Sequence, residues 1–162
     1  MDLSDIRELD ALSDGMRDAD ARTWRAAPLI GETAVDFNKR TEFDAAEMDG
    51  LGVNTKIREL MAEGYGTIVV KNPGAKHSLG VGILQRLQLY FEGSLGYFGC
   101  GLTDGPNIRI SGRVGWSCGG NMMAGTIVIE KNAGSTFGNA LRGGDVVCKG
   151  DVGSRTGIDM KG

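Results

Sequence analysis

The apolar positions of this chain fall into columns, not into a single amphipathic period. Leu89, Ile108, Ile127 and Val146 recur at a step of 19 residues. Phe91, Ile110, Ile129 and Cys148 repeat the step, and so do Leu95, Val114, Ala133 and Val152. Gly96, Gly115, Gly134 and Gly153 keep the same phase, as do Gly101 and Gly120 with Asn139 next in their column. Ile68 and Val70 precede Leu89 and Phe91 by 21 residues, which predicts a two-residue insertion near "NPGAKHS". A fixed step of this size is the mark of a repeat architecture.

Each turn opens with a short β-rich run whose first and third apolar positions are kept. The middle position varies: Val69, Tyr90, Arg109, Val128, Val147. Period-two alternation predicts strands with one face inward and the other mostly outward. Such short strands gain stability only when stacked in register. The expected fold is therefore mainly β, a parallel β-helix (β-solenoid) of about five turns between Thr67 and Gly162. Glycine fits its corners, where φ is positive or backbones approach too closely for a Cβ. A helix in each turn is excluded by segments such as "SGRVGWSCGGNMMAG", because an interior glycine costs a helix about 1 kcal/mol relative to alanine.

The first third follows other rules. Leu3, Ile6, Leu9 and Leu12 suit a short amphipathic helix ended by Gly15. "RTWRAAPLIGETAVDFNKRTEFDAAEMDG" reads as an extended arm. "NTKIRELMAEG" predicts a second helix, with Asn54 as N-cap and Gly64 at its C-terminal end. The expected division is an N-terminal helix and arm over 1–44 and the β-helix over 45–162.

Composition narrows the class. Glycine makes up 27 of 162 residues, about twice the usual ~7% share. Net charge is −3, against the basic surface that nucleic acid requires. No apolar run reaches the roughly 18 residues of a membrane span, and the acidic start "MDLSDIRELD" does not read as a signal peptide. Cys100, Cys118 and Cys148 are odd in number with no C-x-x-C spacing, as expected of a reduced, cytoplasmic chain.

Motif chemistry then fails in turn. Gly80 and Gly82 begin a G-x-G-x-x-G, but Gln85 stands where the third glycine belongs; after Gly99 and Gly101 the place is held by Asp104. Cys100 and Cys118 are 18 residues apart, one step out of phase, and so are not expected to stack. Three thiols fall short of a four-cysteine cluster. His77 is the sole histidine, and Ser78 beside it does not make a working dyad. An N-terminal cysteine nucleophile is not expected, since Asp2 follows Met1. No catalytic, cofactor or metal residue is assigned. Tyr97 and Trp116, 19 apart, should stack into a ladder near Phe98. With His77 and Arg142 they are the candidate partner contacts.

"KNPGAKHSLGVGI", followed by "GSLGYFGCGL", "GRVGWSCGGNMMAG" and "NAGSTFGNALRGG", resembles the GXGXG domain that closes the large subunit of glutamate synthase. The resemblance covers about 45–162. It implies a right-handed β-helix without chemistry of its own. It also implies a scaffold subunit of a glutamate synthase-like complex, of the N-methylglutamate synthase type. The expected partners are a class II amidotransferase-like subunit and an FMN-dependent synthase-like subunit; FMN and an Fe–S cluster would belong to the latter, none to this chain. Formylmethanofuran dehydrogenase and the formyltransferase/hydrolase complex each have a subunit with similar turns, and such a subunit is the alternative. A hexapeptide acyltransferase is more distant, because 19 is not three sixes and His77 lies outside the regular coils. The last turn breaks off in mid-pattern. That end and the aromatic strip are expected to meet the partners, and the chain alone to self-associate or aggregate.

Overall fold

The structure, a computed structural model, describes residues 34–161. The predicted helix at Leu3–Leu12 lies outside them. Six strands form one sheet: β1 (Asp36–Asp44), β2 (Tyr65–Lys71), β3 (Gln88–Glu92), β4 (Asp104–Ile110), β5 (Ala124–Ile129) and β6 (Asp145–Cys148). Every neighbouring pair is parallel and the spatial order is the chain order. One helix, α1 (Gly50–Ala62), sits in the β1–β2 connection. From β2 onward each strand returns to the next by a coil, giving a β-solenoid of about four turns where the 19-residue step predicts about five.

The register is the one the columns predict. Leu89 faces Ile108, Ile108 faces Ile127, and Ile127 faces Val146. A second ladder on the coil wall bridges Leu95 to Val114, Ala133 and Val152. Ile68, Val70, Leu89, Phe91, Ile108, Ile110, Ile127 and Ile129 are buried, whereas Val146 and Cys148 in the last rung are only partly so. The stretch read as an arm extends these columns by one rung: Thr41 faces Ile68 and Phe43 faces Val70.

Three details differ from the sequence reading. The middle positions are not uniformly outward, since Val69, Tyr90 and Val128 are buried; parallel sheets are commonly covered on both faces, and their strands then read as continuous apolar runs. The insertion is also split. Val70 faces Phe91, 21 residues on, whereas His77 already meets Tyr97, 20 on, and Gln88 faces Asn107, 19 on. Finally, α1 begins earlier than "NTKIRELMAEG". Its N-cap is Asp49, whose carboxylate accepts from Gly52 N at 2.7 Å. Gly64, at φ +88°, does follow the helix end.

Asn54 is spent elsewhere. Its Nδ2 donates to Ser78 O (2.7 Å) and its Oδ1 accepts from Gly80 N (2.8 Å). Arg58 adds a bond from Nη2 to Val81 O at 3.1 Å. The opposite flank, Val53, Ile57, Leu60 and Met61, is buried at helical spacing. Thus α1 is fixed to the first coil by a polar side and to the core by an apolar one.

The coil corners carry positive φ at alternate residues. Phe98, Cys100 and Leu102 form one set, and Ser117, Gly119 and Asn121 the next. Their N–H groups point alternately to the following and the preceding turn: Phe98 N to Trp116 O, Cys100 N to Leu79 O, Leu102 N to Gly120 O. Each corner is thereby bonded on both sides.

The glycine column has a different cause. Gly115, Gly134 and Gly153 are not in the left-handed region. A Cβ on Gly115 would lie 2.8 Å from the Gly96 carbonyl carbon, and one on Gly134 2.8 Å from that of Gly115. The constraint is close approach between turns. Gly115→Val is expected to destabilise the fold by about 1–3 kcal/mol, the cost of overpacking. Asn54→Ala is expected to cost ~1–3 kcal/mol through the orphaned Gly80 N–H. Urea denaturation of each purified variant measures both.

Candidate functional site

His77, Tyr97 and Trp116 form one continuous ring stack on the coil wall. The His77 and Tyr97 centroids are 4.7 Å apart with planes 10° from parallel; Tyr97 and Trp116 are 5.4 Å apart at 27°. Each ring immediately precedes a positive-φ residue, Ser78, Phe98 or Ser117, so the corner geometry recurs under every ring. Each also leans over the glycine of the next turn. The position of a Cβ on Gly115 falls 2.5 Å from Tyr97 Cδ1, and that on Gly134 2.7 Å from Trp116 Cδ1. His77 occupies the same place over Gly96. The glycine column therefore seats the rings as well as the backbone.

One hydrogen bond fixes the first ring. Tyr97 N donates to His77 Nδ1 at 2.9 Å, so the proton of the neutral imidazole sits on Nε2. Beyond Trp116 the column continues as Ser135 and Ser154, whose hydroxyls are 3.2 Å apart. Beside it the Ser117 and Thr136 hydroxyls pair at 2.7 Å. Tyr97 is 43% and Trp116 58% exposed, and neighbouring Phe98 and Leu102 are exposed too. This is a surface for stacking and apolar contact, held by a rigid wall. Arg142 does not join it. Exposed, with its N–H bonded to Met122 O, it stands in the column of Gln85, Asp104 and Met123, at another point round the turn.

The thiols depart from expectation. Cys100 and Cys118 are both fully buried and interact, although out of phase. Gly99 shares the column of Cys118 and has no side chain to fill the space between them; a Cβ there would lie 3.9 Å from the Cys118 sulfur. The hydrogen bond to Cys118, and then burial, push the Cys100 thiol well above its ordinary value. The reactive thiolate is disfavoured. Among the described residues no group of three or more His, Cys, Asp or Glu is placed to hold a metal, and no helix is long and apolar enough to cross a membrane.

Sequence reasoning missed an ionic cluster on the outer face of the sheet. Arg109 Nε meets Glu130 Oε1 at 2.7 Å, and Lys149 Nζ meets Glu130 Oε2 at 2.9 Å. Glu130 and Lys149 share a column, 19 apart, which was a usable signal. Burial pushes the Glu130 carboxyl upward, but the Lys149 hydrogen bond and the Arg109 and Lys149 charges outweigh it and hold it below the ordinary 4.5.

No family model matches the chain, and no solved structure matches it significantly. A 60-residue stretch is 41% identical to Protein GlxC of Rhizobium meliloti (strain 1021). It makes up 37% of this chain and 26% of GlxC, so the chain aligns with about a quarter of that relative.

A lowered folded-state pKa means that the Glu130 contribution is present above the unfolded value and lost as pH falls through the folded one. Below pH 4.5 the melting temperature should fall more steeply for the parent chain than for Glu130→Gln. At neutral pH the variant should lose about 1 kcal/mol or less. Parallel melts across about pH 3–7 provide the check.

Proposed function

We propose that this chain is the scaffold subunit of a glutamate synthase-like complex, of the N-methylglutamate synthase type. In this reading it bridges a class II amidotransferase-like subunit and an FMN- and Fe–S-containing synthase-like subunit. The partial likeness to GlxC supports a glutamate synthase-related subunit. The observation that carries the bridging role is the exposed ladder of His77, Tyr97 and Trp116 with Phe98 and Leu102 beside it. Aromatic residues that hold large area on few rotatable bonds are what protein interfaces favour. A monomer gains little by exposing them together.

The rigidity of the wall matters to this role. The rings are already stacked, so little side-chain entropy remains to be lost on docking. Their seats lie on three successive turns whose spacing is set by backbone hydrogen bonds. Arg142, on another part of the turn, is proposed to serve a second contact.

Co-expression with both partner classes tests the proposal. A stable ternary complex using glutamine or glutamate is expected. Trp116→Ala and Arg142→Glu should each weaken assembly at least tenfold, about 1.4 kcal/mol, and leave the flavin spectrum of the synthase subunit unchanged. The chain purified by itself should show no stoichiometric flavin or iron–sulfur absorbance. A chain that ignores both partners, or that carries its own flavin, overturns the assignment.

A further inference from the structure

The column of the ring ladder changes character half-way along the wall. His77, Tyr97 and Trp116 are followed in it by Ser135 and Ser154. The wall beneath does not change. Its bridges run on from Val114 to Ala133 and Val152. The corner is kept as well: Thr136 (φ +59°) and Arg155 (φ +57°) follow the serines as Phe98 and Ser117 follow the rings. The atom nearest to a Cβ on Gly134 is Trp116 Cδ1 at 2.7 Å, whereas the three nearest to one on Gly153 are backbone atoms. The same seat thus carries a ring in one half of the column and a small hydroxyl side chain in the other.

Trp116 stands at the change. One face of its indole lies on Tyr97, and among the described residues no ring lies on the other. It is accordingly more exposed than Tyr97, which is covered on both faces. An open aromatic face with exposed Phe98 and Leu102 nearby is a place for another molecule to stack. The serine seats beside it say what fits. The occupant must bring rings at the step of the wall, because stacked turns recur at about 4.8 Å. The ring centroids of this chain are 4.7 and 5.4 Å apart. Its own ladder has the required step.

The column is complementary to its own reverse. A second copy turned end for end sets its Trp116 over Ser135 and its Tyr97 over Ser154, and takes the rings of the first copy over its own serines. The two Trp116 faces then meet at the axis, and the two ladders join into one stack. A parallel copy in the same register would set ring against ring and serine against serine. We propose that two copies of this chain pair wall to wall, antiparallel about a two-fold axis between the turns of Trp116 and Ser135, each laying its ring ladder over the serine half of the other. Such a contact is isologous and closes at two copies. It does not rest on the scaffold reading; a partner subunit that docks on this wall takes the place of the second copy.

Light scattering on the full chain at tens of micromolar should give a dimer. Trp116→Ala removes the ring at the axis and should weaken the dimer at least about tenfold. Ser135→Tyr is the sharper variant. It puts a ring of the same chain into the seat that the second copy's Trp116 needs, and Gly153 leaves room for it. It too should weaken the dimer at least about tenfold, although it adds apolar surface to the wall. A merely adhesive patch would respond in the opposite direction. Circular dichroism confirms that each variant is folded. A monomeric parent chain overturns the proposal. So do open-ended oligomers, or either variant dimerising as tightly as the parent. Co-expression with the partner classes reads the scaffold role separately, so each can fail without the other.

Discussion

The fold rests on how closely two turns of backbone approach each other along one wall. Strands in a sheet lie about 4.8 Å apart, and where the coil wall keeps that spacing a side chain pointing along the stack has nowhere to go. Gly96, Gly115, Gly134 and Gly153 meet this constraint by having none. Once they are in place, the turns settle at a step of 19 residues from Gln88 onward, apart from a local register shift where Asp104 faces Ala124. The same constraint makes the aromatic ladder possible. A ring can lie across the next turn only where that turn offers a bare backbone, and Tyr97 and Trp116 do so over Gly115 and Gly134. Core register and surface stack thus have one origin.

This accounts for what could be read from the residues. A stacking constraint repeats, so its residues recur in phase and the columns show in a single sequence. Tyr97 and Trp116 were legible for that reason, as were the inward columns from Ile68 to Cys148. Contacts that do not repeat left no such trace. Asn54 looks like a cap because asparagine commonly is one. Its amide instead bonds Ser78 and Gly80, a choice made by the tertiary position of α1. β1 was hard to see because "DFNKRTEFD" is largely polar and exposed; it joins the sheet through its backbone, with only Thr41 and Phe43 in line with the core. Cys100 and Cys118 meet across phases because Gly99 is small, which periodicity cannot express.

The ionic cluster shows a middle case. Glu130 and Lys149 obey the step, but Arg109 belongs to the neighbouring column. Side chains on one face of a sheet reach diagonal neighbours as well as direct ones. A periodic reading finds the direct partner and overlooks the diagonal one. The carboxylate takes both because each of its oxygens faces a different turn.

Strain sets the remaining terms. Among the described residues twelve non-glycine residues have positive φ, most of them at the coil corners. An ordinary residue held there costs about 1–3 kcal/mol, so corners of this kind do not persist in isolation. They are held because each is hydrogen-bonded to the turn before and the turn after. Phe98 and Cys100 show the two directions. The last described coil repeats the conformation at Arg155 and Asp159 and is bonded to the turn before it, as in Lys161 N to Leu141 O. A repeating wall of strained corners therefore forms only as a stack, because the bonds that hold each corner are supplied by the turns on either side of it.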